Sequence, residues 1–152
     1  MSDPIEFTYT SARHALPFLF QGQAQKEFFV NEALARLDAL VHPLIQGSAA
    51  APPSTPAEGE CWLIDTGASN SWSGHDGAIA CFQSGNWLFI DPVDGMRVFD
   101  QSAGQFIRYD GAWRSGAAIA VPSGGSTVDE EARNAISDLI SALVEAGLVP
   151  SS

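Results

Sequence analysis

The chain has 152 residues, 45% of them hydrophobic and 16% charged, with 14 Gly, 9 Pro and a formal net charge of −11. That length supports one modest core, the hydrophobic fraction excludes wholesale disorder, and the Gly- and Pro-rich, charge-poor composition points to a turn-rich β protein. Acidity on this scale repels nucleic-acid phosphate and anionic lipid, so no nucleic acid and no membrane insertion are expected, and no apolar run reaches a membrane span.

Residues 1–46 are expected to form an arm and a helix used in assembly. Residues 1–10 have neither a basic start nor an apolar core, so no secretory signal is expected. Leu16, Phe18 and Phe20 alternate as extended chain does. An arm this apolar needs its own β unit or a neighbour's groove. Over 23–46, Val30, Ala33, Leu34, Leu37, Leu40, Val41 and Leu44 recur at three- and four-residue steps, predicting a helix with one apolar stripe. Pro43 and Gly47 close it. Residues 47–58 read as a Pro/Ala/Ser linker without regular structure.

Residues 59–114 read as a small antiparallel β domain, a barrel or a sandwich. Strands are expected over 61–65, 78–83, 86–91, 96–99 and 106–110, with a short one at 111–114. Ser84-Gly85 is a hairpin signal, and turn signals recur about every ten residues. Gly85-Asn86-Trp87 and Gly111-Ala112-Trp113 form a faint repeat, too short to establish a solenoid or propeller. Cys61 and Cys81 fall in two of these strands, either as a cross-strand disulfide or as two buried thiols that act as small hydrophobes. Two cysteines make no zinc pattern, and His14, His42 and His75 form no metal-ligand pair, so neither a metal nor a cofactor is expected.

Residues 115–126 read as a flexible linker, and 127–148 as an amphipathic helix. Thr127 is its expected N-cap, with Glu130 reaching back as a capping box. Ala132, Ile136, Leu139, Leu143 and Ala146 follow at alternating steps of four and three, an a/d seam for oligomerisation. Ile140 and Val144 widen the seam, which suits three or more helices, and Gly147 stops the helix. A helix of this length is marginal alone in water. It therefore meets copies of itself, folds back on its own domain, or attaches a partner.

Chemistry-bearing residues are sparse. In the loop Trp72-Ser73-Gly74-His75-Asp76-Gly77 an indole beside polar groups can stack on a sugar while His75 and Asp76 bond its hydroxyls, with Trp113 as a second aromatic. The competing reading has Trp72 plugging the end of the β unit and His75 and Asp76 tying down the loop. Asp65, Asp76, Asp91, Asp94, Asp100 and Asp110 sit at strand ends, where turn-capping accounts for them better than a glycosidase pair does. No nucleophile elbow, phosphate loop or dinucleotide fingerprint is present. No catalytic residue is assigned.

Gln23-Ala24-Gln25-Lys26-Glu27, Asn31-Glu32-Ala33-Leu34 and Leu37-Asp38-Ala39-Leu40 resemble the N-terminal signature of an uncharacterised domain family, DUF2793. Gly59-Glu60-Cys61-Trp62-Leu63-Ile64, Gly67-Ala68, the run from Trp72 to Ala80 and Gly85-Asn86-Trp87 fit its glycine–tryptophan pattern, so that the resemblance spans roughly residues 11 to 114. The family occurs in tailed phages and phage-like gene transfer agents. The resemblance therefore implies a virion surface part, assembled in the bacterial cytoplasm. The expected function is a non-enzymatic component of a tail fibre or head spike that binds host-surface, capsular polysaccharide. The resemblance implies a homo-oligomer, trimer before pentamer. Phe18, Phe20, Gln23, Gln25 and Lys26 are its candidate contacts with other virion proteins. A purely structural virion adaptor is the first alternative, and a polysaccharide-degrading enzyme the second.

Overall fold

The computed structural model describes residues 10–14, 16, 18, 19, 26–125 and 129–151, with no side-chain description for 26–28. The protein is α+β and mainly β: two open sheets, neither closed into a barrel, with an N-terminal and a C-terminal helix. The chain divides into two compact units, Met1–Pro92 and Val93–Ser152. The boundary falls at the Pro92–Val93 turn, inside the stretch read from sequence as one β domain.

The first unit contains α1 (Lys26–Val41), β1 (Leu44–Ile45), β2 (Ser48–Ala49), β3 (Cys61–Ile64), β4 (Ile79–Gln83) and β5 (Asn86–Ile90). One sheet runs β2-β3-β4-β5. Its first pair is parallel, with Ser48 opposite Leu63 and Ala49 opposite Ile64. The linker read as irregular thus carries a strand. Two residues suffice because the Gly47 carbonyl accepts from Leu63 N–H and the Ala49 carbonyl from Asp65 N–H. The β4–β5 hairpin turns at Ser84 and Gly85, both at positive φ (52° and 77°). That is the mirror-type turn that matches strand twist. The Glu58 carboxylate clamps it, accepting from Ser84 N–H at 2.7 Å and Gly85 N–H at 3.0 Å.

Strands β3 to β5 are apolar at nearly every position because both sheet faces are covered. On one face, Cys61, Cys81 and Leu88 meet Ala35, Asp38 and Ala39 of α1. On the other, Ile64, Ala78 and Ala80 pack with Trp72, which returns from the β3–β4 loop in a short 3-10 turn (Asn70–Trp72).

The orientation of α1 differs from the expected one. Its stripe does not form the core: Leu37 is 52% exposed and Val41 54% exposed, with Val30 also exposed. Facing inward instead are Ala35, Ala39 and Asp38, the last only 2% exposed. Two polar side chains explain the rotation by stapling the arm to this face. The Asp38 carboxylate accepts from Arg13 N–H at 2.8 Å and His14 N–H at 2.5 Å. The Asn31 amide accepts from Leu19 N–H at 2.8 Å and donates to the Leu19 carbonyl at 3.1 Å. Arg13 then donates to the carbonyls of Ala39 and His42, a cation on the negative end of the helix.

The second unit contains β6 (Arg97–Asp100), β7 (Gln105–Tyr109), β8 (Trp113–Arg114) and α2 (Glu130–Glu145). Its three strands pair antiparallel in that order. Apart from β8, which begins at Trp113 where the strand was expected from 111, each observed strand after α1 that the sequence predicted lies within one residue of its expected bounds. The cap of α2 is Asp129, whose side chain accepts from Ala132 N–H at 3.0 Å. The expected cap, Thr127, lies outside the described residues. A carboxylate at this place does the same work and adds charge at the positive helix end. At the other end Gly147 takes the left-handed conformation (φ 66°), with Leu148 N–H on the Leu143 carbonyl and Gly147 N–H on that of Val144. This is a Schellman stop. The Gly147 carbonyl accepts from Phe106 N–H at 2.6 Å, which ties the end of α2 to β7.

Candidate functional site

The loop between β3 and β4 carries three of the residues expected to bind a sugar. Trp72 has 0% exposure and meets Trp87 edge-on, ring centroids 5.0 Å apart. A buried indole offers no face to a ligand, so the expectation of sugar stacking at Trp72 is corrected: the ring is core. His75 is half-buried and stacks flat on Phe89 at 3.7 Å. The Asp76 carboxylate accepts from Gly67 N–H at 3.1 Å and Ala68 N–H at 3.0 Å, closing the loop on itself. Each side chain thus has a structural partner, as in the competing reading. Trp113 belongs to the second unit, half-buried and edge-on to Tyr109 at 5.3 Å.

Of the expected assembly residues, Phe18 is half-buried. Phe20, Gln23 and Gln25 lie outside the described residues, and Lys26 opens α1. The C-terminal seam is displayed to solvent: Ala132, Ile136, Leu139 and Ala146 are exposed, Leu143 is half-buried, and no residue of α2 is buried.

Cys61 and Cys81 face each other directly across β3 and β4, both buried and both free thiols. The Cys81 thiol is pushed up, first by its hydrogen bond with Cys61 and then by burial. Beside them Arg13, Asp38 and Gly59 help line a cavity of about 10 Å³, room for one water at most. Among the described residues no group of three or more His, Cys, Asp or Glu could hold a metal ion. No helix among them is long and apolar enough to cross a membrane.

The sequence reading missed a basic row. Arg97 stands opposite Arg108 across β6 and β7, and Arg108 opposite Arg114 across β7 and β8. Directly opposed residues share a sheet face, so three arginine side chains leave that face in a row across the strands. All three are exposed and border an open groove of about 350 Å³ shared with Phe106 and Leu148.

The family described as a protein of unknown function, DUF2793, matches residues 30–114. That is more than half of the chain, and the chain belongs to this family. A comparison with curated proteins found no match.

Proposed function

We propose that this member of the family is a non-enzymatic structural and adhesive part of a phage-like particle, a piece of a head spike or tail fibre that contacts host-surface polysaccharide. The observation that carries the reading is α2. It is capped at both ends and tied to β7 by its last turn, yet it buries no residue and leaves Leu139 60% exposed. An apolar seam at a/d spacing displayed in this way supports assembly with copies of itself. A trimer is the first choice and a pentamer the second. The phage or gene-transfer-agent context rests on the family resemblance.

A second reading is favoured by one observation. Trp72 is core, which suits an adaptor that binds only other particle proteins. The two readings separate on adsorption of the labelled protein to host cells with and without their capsule, with oligomeric state measured in the same preparation. Binding lost with the capsule supports adhesion. A folded oligomer that binds neither cell type refutes adhesion and leaves the adaptor.

A further inference from the structure

The allotment of cations in this acidic chain is uneven. Of its seven basic residues, three form the single row of Arg97, Arg108 and Arg114. Three others hold the fold together. Arg13 and Arg133 donate to backbone carbonyls, Arg133 to those of Pro122 and Gly124. Arg36 donates to the Phe89 carbonyl and pairs with Glu32.

The row has no such structural role. Like charges directly opposite one another destabilise a sheet. Arg108 is relieved by Asp110 at 2.8 Å, with both side chains more than half exposed. Arg97 lies over the Phe106 ring, 4.9 Å from its centroid. The Arg114 side chain has no hydrogen-bond or ion-pair partner among the described residues. The reverse face of the same strands carries the buried Val98, Gln105 and Ile107. The row is therefore fixed by a sheet whose other side is packed.

From this juxtaposition we infer that the Arg97–Arg108–Arg114 row is a binding site for an acidic polysaccharide, gripping carboxylate or sulfate groups through the guanidinium forks. Strand spacing sets the roots of the three side chains about 4.8 Å apart, and each fork can take an oxyanion by two parallel hydrogen bonds. Phe106 and Leu148 supply apolar surface in the same groove for the sugar faces between charges. Duplex nucleic acid fits worse. It presents about one charge per 1.7 Å along its axis, and such density is repelled by the surrounding excess of acid. The choice of a glycan as carrier of the anion rests on the adhesive reading above.

The test uses the full chain and four immobilised probes: a polyuronate, the same polymer with its carboxylates reduced to alcohols, a sulfated polysaccharide, and duplex DNA. Polyuronate or sulfated polymer should be retained and the reduced polymer not, and retention should fall with added salt. Arg97→Gln and Arg114→Gln should each weaken binding about tenfold. Arg97→Lys, which keeps the charge and loses the fork, should fall between. Folding of each variant is checked by its unfolding curve.

Equal binding by the Gln variants, equal binding of the reduced polymer, no binding of either acidic polymer, or tighter binding of DNA would each overturn the assignment. Failure of the adhesive reading is a separate result. Acidic polymer would then bind through the row while the protein ignored encapsulated cells.

Discussion

Asp38→Ala should release the N-terminal arm from α1. The carboxylate is 2% exposed and accepts two backbone N–H groups, those of Arg13 and His14. Alanine leaves both donors without an acceptor, at about 1–3 kcal/mol each. Both amides lie near the surface and can recruit water, which places the total near the lower end, about 3 kcal/mol. For a chain of this size that lowers the melting temperature by about 6–12 °C. The arm should also loosen its second hold, since Arg13 reaches Ala39 and His42 only while its backbone is pinned. Asp38→Asn keeps the shape and one carbonyl acceptor, and should lose about half as much. Thermal and urea unfolding give the stability. Hydrogen exchange at the Arg13 and His14 amides reports the arm directly. If Asp38→Ala unfolds within about 0.5 kcal/mol of the native protein, or those amides stay protected, the arm is held by something else and the account of the rotated helix fails.

Gly59→Ala should destabilise by about 2 kcal/mol in urea, because Gly59 sits at φ +79° and an added Cβ would lie 3.0 Å from Ala12 Cβ and Arg13 Cγ; an unchanged midpoint would refute this. Trp72→Ala should cost about 3–5 kcal/mol, whereas Trp72→Phe should cost far less, since the buried indole N–H has no partner among the described residues to lose. Neither change should alter glycan binding by the protein that folds, and a specific loss would restore Trp72 as a ligand contact. Cys81, its thiol pushed up by Cys61 and by burial, should resist thiol reagents at neutral pH and react only as urea unfolds the chain; rapid labelling of the native protein would contradict the buried pair. Leu139→Asp, at a 60% exposed site, should leave monomer folding within about 0.5 kcal/mol while dissociating any oligomer seen by sedimentation; an intact oligomer would place the interface elsewhere.

The hairpins were legible because their turns are chemically explicit. Ser84-Gly85 needs positive φ at both residues, and Gly147 ends a helix for the same reason. What misled was the assumption that an apolar stripe marks the buried side. In α1 the small residues Ala35 and Ala39 allow close approach, and Asn31 and Asp38 capture the arm, so the polar face goes inward. Their carboxylate and amide are satisfied by backbone groups twelve or more residues away, and no local period announces such bonds. The basic row had a signal that went unread. Arg97 and Arg108 are equidistant from the turn over 101–104, and Arg108 and Arg114 each lie three residues from Gly111. Reflecting each strand through its turn would have aligned the three. The burial of Trp72 had no comparable signal, because a loop tryptophan points inward or outward according to what the loop closes over.

The inward polar face of α1 changes what the exposed stripes mean. A helix that displays Phe29, Val30, Leu37 and Val41 has not failed to find its core, because the other face is already engaged by Asn31 and Asp38. Val30, Leu37 and Val41 are surplus to the first unit's packing as described, just as Ile136 and Leu139 are surplus to the second's. Those five side chains, each exposed over about half its surface, are worth on the order of 5 kcal/mol when buried, near the low end of the freedom lost when two chains associate. Neither stripe alone reaches that sum. A stable assembly therefore needs both helices, or one helix repeated around a symmetry axis, where each protomer gives and receives the same contact. This favours cyclic oligomers over a one-sided attachment peptide, and it predicts a melting temperature that rises with protein concentration.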